Sequence, residues 1–577
     1  MKREPTYLED ERGSFFGWYH HAGSSRDLVA VICGPVGHEY TRAHRTLRHL
    51  ADGLAERGIP ALRFDYHGIG DSPGSDFDPH RLGVWQSNIR TAMRRACELS
   101  GRSRVCLIGV RLGATLAAMV TEETPADLLV LWNPCDKGGA YLRELRAIAM
   151  TAQRAATDID GALESAGFVM SAETCEAVRD ISLLERDIQA GAVLVVGRDD
   201  AAADPALCSH LGARGVPCDF VRAPGWTGMM AEHQFTVVPE KALRTITDWI
   251  AEKSSPSSLG EGGEQSSPSA LGEGRGEGRI TIPWAGSTIE EIACPFGEDN
   301  HLFGILSRAA SDSDRPAIVF FNAGAVHHVG PNRVYVTLAR HLSAAGFACF
   351  RFDLEGIGDS VLRGPGRENH PYPETATRDA REAIELLRKR FGYRRFIALG
   401  LCSGAHTSFH AGLQLDEDPI AELILINPLT FYWEEGMSLE TTRRFEDAAA
   451  YKRSMRDPGR WLKLLRGDVN MKRLVEVLVT QAKAKLAVKE DLRLSRDLRK
   501  LAAMNRPVTF FIAEGDPGRE ILMAGAPRTA KRSMRSGKMR VEMIPGADHT
   551  FSQLKPRADL VHRLGDHLKR HAQPRAG

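Results

Sequence analysis

One ten-residue motif occurs twice in the chain and constrains its fold more than any other feature. The pattern R-F-D-x-x-G-x-G-D-S stands at residues 63–72 and again at residues 351–360. An apolar run of strand character leads into each copy, and a helical segment, a further strand and a glycine turn follow it. A match this long, repeated so far along the chain, indicates two related halves.

Further pairs of segments follow the motif in the same order in both halves. They are residues 105–113 and 396–404, 128–134 and 423–428, 193–199 and 509–516, and 232–235 and 548–551. Strands that alternate with helical patterns predict an α/β fold in each half, with a mostly parallel, doubly wound sheet and right-handed crossovers. Each half also carries an insertion that we predict to be helical and to cap the sheet, at about 138–190 and at about 431–505.

The length of the chain supports a division into domains. With 577 residues it exceeds what one hydrophobic core usually supports. Between the halves lies a stretch rich in Gly, Ser, Pro and Glu that contains few residues able to build a core, as is typical of a flexible linker. We predict an N-terminal domain at 1–252, a linker at 253–279 and a C-terminal domain at 280–577.

Charge and cysteine usage exclude several classes of partner. Lys plus Arg (75) nearly balances Asp plus Glu (74), so no nucleic-acid partner is predicted. No apolar stretch is long enough to span a bilayer, and no apolar segment follows the charged start, so we expect a cytoplasmic protein without a membrane span. The ten cysteines form no C-x-x-C pair, and most are expected to be reduced and buried. The oligomeric state is left open.

The segment Gly400-Leu401-Cys402-Ser403-Gly404 follows one apolar strand and precedes a helical segment. A nucleophile in the middle of G-x-Nuc-x-G stands exposed on a sharp strand-to-helix turn that the glycines permit. The middle residue here is Cys402, with Ser403 one position out of register. The plainer interpretation of Cys402 is a small buried apolar residue.

With these residues in view, both halves resemble the α/β-hydrolase family, in which an elbow nucleophile, an acid and a histidine follow in that chain order. The motif and the short loop after the first core strand look like serine-aminopeptidase-type hydrolases and hydrolases associated with exosortase loci. The resemblance implies a catalytic triad of Cys402 as nucleophile, His549 as general base and Asp516 as orienting acid. Glu514 is the competing acid, and Asp548 is expected to point elsewhere.

The same resemblance implies an oxyanion hole made by the backbone N–H groups of Ser403 and Gly324. Histidines also stand near these loops in the sequence, at positions 327, 328, 406 and 410. Without an H-E-x-x-H or similar pattern we predict neither a metal site nor a cofactor there.

In the first half, Arg111 occupies the position of the nucleophile, while Asp199 and His233 hold the positions of acid and base. Because arginine cannot act as an acyl nucleophile, we interpret this half as a pseudoenzyme domain. Arg111 has two alternative roles: it binds an anionic ligand, or it forms an internal salt bridge with Asp199. Ser72 and Ser360, at the end of the repeated motif, are predicted to be turn residues rather than nucleophiles.

The predicted function is acyl transfer through an acyl-Cys402 intermediate, by a hydrolase of thioesterase or esterase type or by an acyltransferase. A thioester intermediate stays reactive toward amines and thiols, which mildly favours transfer. The second insertion is rich in Lys and Arg, which suits an acyl ester or thioester substrate on coenzyme A or an acidic carrier protein. The alternative is a non-catalytic ligand-binding or scaffolding protein derived from hydrolases.

Overall fold

Alternating strands and helices build two units along the chain. The structure, a computed structural model, describes residues 2–23, 26–151, 161–201, 205–254, 278–310, 314–415, 419–437 and 491–572. One compact unit consists of Met1–Pro283 with Glu290–Cys294, and the other of Trp284–Ile289 with Pro295–Gly577. The predicted domain limits stay a prediction, and the predicted linker lies outside the described residues over 255–277.

The first unit contains an eight-stranded sheet with strand order β1-β2-β4-β3-β5-β6-β9-β10, and a separate hairpin of β7 and β8. The strands are β1 (Arg3–Asp10), β2 (Gly13–His20), β3 (Val29–Cys33), β4 (Ala61–Phe64), β5 (Val105–Val110), β6 (Ala126–Trp132), β7 (Leu163–Ser165), β8 (Phe168–Met170), β9 (Ala190–Arg198) and β10 (Cys218–Ala223). The helices are α1 (His38–Glu56), α2 (Arg81–Ser100), α3 (Leu112–Val120), α4 (Gly138–Thr151), α5 (Ala172–Arg179), α6 (Ala206–Ala213), α7 (Trp226–Met229) and α8 (Glu240–Lys253).

Strands β3 and β5, at the centre of this sheet, are apolar at every position because both of their faces are covered. In β3, the side chains of Val29 and Val31 pack into one core cluster, whereas Ala30 and Ile32 pack into the cluster on the opposite face. All strand pairs from β4 to β10 in the sheet order are parallel, and β1 and β2 run antiparallel at one edge.

The second sheet has nine strands in the order β11-β12-β13-β15-β14-β16-β17-β18-β19. Its strands are β11 (Arg279–Trp284), β12 (Ser287–Phe296), β13 (Leu302–Ala309), β14 (Ala317–Phe321), β15 (Cys349–Asp353), β16 (Phe396–Leu401), β17 (Ile420–Ile426), β18 (Val508–Ala513) and β19 (Met539–Ile544). The helices are α9 (Val334–Ala344), α10 (Ala376–Phe391), α11 (Ser403–Gln414), α12 (Leu492–Ala503), α13 (Gly518–Gly525), α14 (Pro527–Arg535) and α15 (Leu554–Leu568).

From β12 onward, the second sheet repeats the strand order of the first, and its strands from β15 to β19 are parallel. Two mostly parallel sheets with flanking helices confirm the predicted fold class. The common origin of the two halves by duplication stays an interpretation of the repeated sequence.

The repeated motif closes a turn after β4 in the first unit and after β15 in the second. The carboxylate of Asp353 accepts a hydrogen bond from the N–H of Asp359 at 2.9 Å. The Ser360 hydroxyl donates to the backbone carbonyl of Asp353 at 2.6 Å, and the same hydroxyl accepts the N–H of Phe303 at 3.0 Å. At Gly358, where φ is 54°, a Cβ would lie 2.3 Å from Oδ2 of Asp353. The first unit makes the same contacts with Asp65, Asp71, Ser72, Phe16 and Gly70. Ser72 and Ser360 are therefore turn residues, as predicted.

The insertion predicted to be helical at 138–190 also contains the antiparallel hairpin of β7 and β8. The two turn residues are Ala166 and Gly167, both with positive φ (47° and 88°), which matches the turn that two-residue hairpins prefer. The insertion contains the helices α4 and α5, in line with the prediction, and the hairpin was not predicted because its short turn carries only a weak sequence signal. Of the second insertion, residues 438–490 lie outside the described residues.

The cysteines fall into three groups. A disulfide joins Cys208 to Cys218. Cys97 and Cys402 are free and partly exposed, and the other free cysteines are buried. Within the described ranges, none of the helices combines the length and the apolar character needed to cross a membrane.

Candidate active site

Cys402 lies at the sharp turn between β16 and α11, with φ of 59° and ψ of −116°. The flanking glycines are required by close packing. A Cβ at Gly400 would lie 2.1 Å from the carbonyl carbon of Gly404, and a Cβ at Gly404 would lie 2.4 Å from the carbonyl oxygen of Phe321. The residue is partly exposed, so Cys402 is not the small buried apolar residue of the plainer interpretation.

His549 is hydrogen-bonded to a buried carboxylate. Its Nδ1 lies 2.5 Å from Oδ2 of Asp516, and the histidine side chain is 24% exposed whereas that of Asp516 is 1% exposed. The other oxygen of Asp516 accepts the N–H of Gly518 at 3.0 Å, which holds the carboxylate in the turn after β18. The structure thus brings the predicted base and the predicted acid together.

Opposing effects act on the pKa of His549. Burial lowers this pKa, while Cys402 and Asp516 raise it, and the result is a pKa well above the ordinary histidine value. Among the described residues, Nε2 of His549 makes no hydrogen bond of ordinary geometry, yet Cys402 lies close enough to affect the ring. A cysteine beside an imidazole is the arrangement in which the ring can take up the thiol proton.

The two competing acids have other partners. Glu514 is exposed, and its carboxylate accepts the N–H of Gly546 at 3.2 Å. Asp548, next to the histidine in sequence, accepts the N–H of Ser552 at 2.7 Å. Neither carboxylate takes the position that Asp516 has beside the imidazole.

Asn427 holds the histidine loop, a role that the sequence did not reveal although the paired segments 128–134 and 423–428 both contain an Asn-Pro dipeptide. This fully buried side chain donates from Nδ2 to the His549 carbonyl at 2.7 Å and accepts the N–H of Ala513 at 2.7 Å. One amide thereby ties the end of β17 to the acid-bearing strand and to the loop of the base. Its equivalent in the first unit is Asn133, whose Nδ2 has no hydrogen-bond partner among the described residues.

The predicted oxyanion donors lie on facing segments, with an unexpected contact between them. The N–H of Gly324 donates to the Ser403 hydroxyl at 2.8 Å, and this hydroxyl in turn donates to the Asn322 carbonyl at 3.2 Å. The Gly324 N–H is therefore engaged in this conformation. A rotation of the Ser403 side chain would release it.

An aromatic cluster lies on the same side of the second unit. Tyr372 stacks on Trp433 with ring centroids 4.4 Å apart and meets the edge of His406 at 5.1 Å. Burial, and after it the nearby Cys402, raises the pKa of the Tyr372 phenol. The long loop that carries Tyr372 offered no sequence signal for this role.

The four histidines at positions 327, 328, 406 and 410 do not come together in one metal site in the described structure. His328 pairs with the buried Asp353 at 2.7 Å, and Nε2 of His410 lies 2.8 Å from the Phe431 carbonyl. Burial lowers the pKa of His406 to about 3, which keeps this ring neutral. His327 is fully buried and stacks edgewise on His328.

In the first unit, Arg111 keeps the elbow conformation, with φ of 54° and ψ of −124°, but it is buried in ion pairs. Its guanidinium donates to Glu39 at 2.6 Å and to Glu144 at 2.6 Å, and it lies over the ring of Tyr141. Both predicted roles need correction. The internal partners are these two glutamates rather than Asp199, and they already neutralise the charge that an anionic ligand would need.

Asp199 and His233 do not form a pair in the first unit. Asp199 is exposed and accepts the N–H of Gly225 at 3.1 Å, whereas Nε2 of His233 is 2.9 Å from the Thr41 hydroxyl. Burial, with a smaller effect of Arg42, lowers the pKa of His233 to about 4. The three residues of this degenerate site thus have three separate sets of partners.

A comparison with protein families finds one matching model. The model described as serine aminopeptidase, S33, matches residues 36–165 and 313–552, which together exceed half of the chain. The match takes in segments of both units.

Comparison with curated sequences and with solved structures finds similar proteins. Uncharacterized proteins from two strains of Mycobacterium tuberculosis are 35% identical over 125 residues, which is 20% of this chain and only 40% of each relative's length. Among solved structures, Est1E from Butyrivibrio proteoclasticus is 18% identical with a TM-score of 0.33 and aligns over 43% of this chain and 98% of its own. Proline iminopeptidase from Mycobacterium smegmatis is 14% identical with a TM-score of 0.31, over 44% of this chain and 99% of its own.

Proposed function

The chain belongs to the α/β-hydrolase family described as serine aminopeptidase, S33, and we propose that its second unit catalyses acyl transfer through a covalent intermediate on Cys402. The observation that carries the proposal is the pair of His549 and Asp516, with Nδ1 and Oδ2 2.5 Å apart, beside a partly exposed cysteine at the strand-to-helix turn. The family model is named for serine enzymes, so the thiol of Cys402 departs from the nucleophile in that name.

The first step forms the acyl enzyme. The Cys402 sulfur attacks the acyl carbonyl as His549 takes up the thiol proton, and the collapse of the tetrahedral intermediate expels the leaving group, which receives that proton. Asp516 keeps the proton on Nδ1, so that Nε2 faces the reaction, and it stabilises the imidazolium. The raised pKa of His549 supports this direction of proton transfer.

The second step releases the acyl group. Water, or an amine or thiol acceptor, attacks the thioester while His549 removes its proton, and the Cys402 thiolate leaves and is protonated again. Hydrolysis gives a carboxylic acid, and transfer gives an amide or a new thioester. The reactivity of a thioester toward amines and thiols suits either outcome, and water access to the site decides between them.

The negative charge of the tetrahedral intermediate needs backbone donors. The N–H of residue 403 stands in the first turn of α11, where amides have no acceptor within the helix. The N–H of Gly324 becomes the second donor when the Ser403 hydroxyl turns away from it. This rotation exchanges one neutral hydrogen bond for a charge-assisted one, which is the stronger of the two.

The substrate class follows from the surroundings of Cys402. The stacked Tyr372 and Trp433 rings, with the neutral His406 at their edge, form an apolar surface that suits a hydrophobic acyl group. An ester or thioester is the proposed substrate, with coenzyme A or a carrier protein as candidate leaving groups. A cytoplasmic location belongs to the same proposal, although the disulfide of Cys208 and Cys218 does not favour it.

The first unit is proposed to be a pseudoenzyme domain. Arg111 supplies no nucleophile, and Glu39 and Glu144 hold it in place. His233 and Asp199 have separate partners, so a substituted nucleophile at position 111 would still lack its base. The ion pairs support a structural role for this elbow.

A labelling experiment with an ester-directed covalent probe tests the proposed nucleophile. The full chain is compared with Cys402→Ala and with Cys97→Ala, which removes the other partly exposed free cysteine as a matched control. We expect strong labelling of the wild type and of Cys97→Ala and none of Cys402→Ala. Equal labelling of all three proteins would refute the proposal.

A further inference from the structure

A second cluster of chemically active side chains lies outside the proposed catalytic site. We propose that His301, Glu355 and Asp379 form a binding site for a divalent transition-metal ion. The site is independent of the acyl-transfer proposal, because none of the three residues contacts Cys402, His549 or Asp516 in the described structure. The three side chains come from the residue before β13, the turn after β15 and the first turns of α10.

His301 has the hydrogen-bond arrangement of a metal ligand. The side chain is buried, with 4% of the residue exposed, and Nδ1 lies 2.9 Å from the carbonyl oxygen of Glu298. Because a carbonyl only accepts, Nδ1 carries the hydrogen and Nε2 presents its lone pair. Nε2 has no hydrogen-bond partner among the described residues. Ligating histidines commonly donate their second ring N–H to a backbone carbonyl in this way.

Asp379 presents a second acceptor that lacks a hydrogen. The side chain is fully buried, and its Oδ2 accepts the N–H of Glu355 at 2.9 Å and the Thr375 hydroxyl at 3.2 Å. Oδ1 makes no hydrogen bond within the described part of the chain, and its nearest charge is the Arg378 guanidinium at 3.5 Å. A buried imidazole nitrogen and a buried carboxylate oxygen that both accept form an arrangement that a bound metal ion would stabilise.

Glu355 supplies the third ligand. Its residue is 4% exposed, and Oε1 accepts the N–H of Arg363 at 2.7 Å while Oε2 pairs with Arg378. The side chain of Arg378 is 46% exposed, so it can turn outward and leave Oε2 to an ion. Two carboxylates and one arginine leave a negative charge in this cluster.

The geometry fits one ion. The ligand atoms of the three residues all lie within 4.8 Å of one another. Two ligand atoms of a tetrahedral Zn²⁺ at about 2.1 Å lie about 3.4 Å apart, so a contraction of up to about 1.4 Å for each pair closes the site. One imidazole with two carboxylates suits Zn²⁺ or Mn²⁺ better than Mg²⁺ or Ca²⁺, which prefer oxygen ligands alone.

The first unit provides an internal comparison. At the position of Asp379 the first unit has Asn88. Its Oδ1 accepts the N–H of His67 at 3.0 Å, just as Oδ2 of Asp379 accepts the N–H of Glu355 in the second unit. The Asn88 amide then donates from Nδ2 to Asp10 at 2.8 Å. Its neutral amide therefore provides the hydrogen that Asp379 cannot provide, and the carboxylate at this position is particular to the second unit.

Another buried group of acidic and histidine side chains in the second unit does not qualify. It consists of His328, Asp353 and Asp359. Asp353 is already bonded to His328 Nδ1 at 2.7 Å, to the Asp359 N–H at 2.9 Å and to the Asn322 amide at 2.8 Å. The contact with Asp359 belongs to the repeated structural turn, and His328 and Asn322 engage both oxygens of the Asp353 carboxylate.

The test measures metal bound to the full chain. Protein stripped with a chelator is loaded with ZnCl₂ and desalted, zinc is determined by mass spectrometry, and Tm is recorded with and without zinc. We expect Asp379→Asn, which copies Asn88 of the first unit, to bind one zinc fewer than the wild type, with an affinity loss of roughly 10- to 100-fold at this site. Tm should rise with zinc in the wild type and rise less in Asp379→Asn.

Two control variants separate this site from others. Asp566→Asn removes the carboxylate from an exposed ion pair of Asp566 with His562. His549→Ala removes the base of the proposed active site. Both should keep the wild-type zinc content and the wild-type shift in Tm. Equal zinc binding by the wild type and Asp379→Asn overturns the metal site. A proton shared between His301 and Asp379 would then satisfy the two acceptors. Loss of zinc only in His549→Ala also overturns it.

Discussion

Nδ1 of His549 lies 2.5 Å from Oδ2 of Asp516, although 33 residues separate the two in the chain. This hydrogen bond fixes the tautomer of the imidazole, because an ionised carboxylate only accepts and Nδ1 must carry the hydrogen. Nε2 is left to face Cys402. Four testable predictions, and a final measurement on the acyl enzyme, follow from this arrangement and from its counterpart in the first unit.

Replacement of Asp516 by Asn keeps the size of the side chain and removes its charge. The amide favours the wrong tautomer of His549 and no longer stabilises the imidazolium, so we expect kcat to fall by about 10³- to 10⁴-fold. Steady-state hydrolysis of an activated ester measures the effect. Glu514→Gln is the matched control and should keep wild-type kcat, since Glu514 is exposed and bonded to Gly546. A small effect of Asp516→Asn on kcat, or a large effect of Glu514→Gln, would show that Asp516 is not the orienting acid.

The stability of the second unit should depend on pH through His549. Its pKa in the folded protein is raised above the unfolded value of about 6.5. The stabilisation by the protonated ring is therefore fully present below about pH 6.5 and is lost as the pH rises through the folded pKa. The difference in Tm between the wild type and His549→Gln should shrink as the pH increases. A difference that grows with pH would contradict the raised pKa.

Asn427→Ala should reduce both stability and turnover. It leaves the buried N–H of Ala513 without an acceptor and frees the loop of His549, so we expect a loss of about 1–3 kcal/mol in the free energy of unfolding. A displaced base lowers kcat by up to about 10²-fold. Asn133→Ala, at the equivalent position of the first unit, should keep wild-type kcat. Equal kinetics of both variants would show that Asn427 does not position the base.

Arg111→Met should destabilise the first unit without a change in ester turnover. The substitution leaves the buried Glu39 carboxylate unpaired, which costs about 3–5 kcal/mol in the free energy of unfolding. Denaturant unfolding measures the loss. Glu144→Gln is the control, because its side chain is 45% exposed and should cost less than about 1 kcal/mol. A fall in kcat for Arg111→Met would indicate that the first unit takes part in catalysis.

The fold was largely predictable because local signals agreed with it. Continuous apolar strands such as Val29–Cys33 mark buried parallel sheet, and the glycines around Cys402 mark a turn whose close packing admits no side chain. The hairpin at Ala166 and Gly167 was missed, because its strands have three residues each and carry little pattern. Short elements of this kind are decided by tertiary packing rather than by sequence periodicity.

The candidate site was predictable only in part. Cys402, Asp516 and His549 follow the order of a known family, so their proximity could be expected. The partners of Arg111 could not be predicted, because Glu39 lies 72 residues away and Glu144 lies 33 away, and neither stands in a motif. The contact of Ser403 with Gly324 likewise depends on a side-chain rotamer. The cluster of His301, Glu355 and Asp379 was missed because three separate elements supply its ligands.

The acyl enzyme itself offers the most direct measurement. The full chain is incubated with an activated acyl ester, quenched in acid, and analysed by intact-protein and peptide mass spectrometry. We expect one acyl group per chain on the peptide that contains Cys402, released by hydroxylamine as a thioester is, and no acyl group on Cys402→Ala. Steady ester turnover without acylation of Cys402, or the same acyl adduct on Cys402→Ala, would contradict a cysteine nucleophile at this elbow.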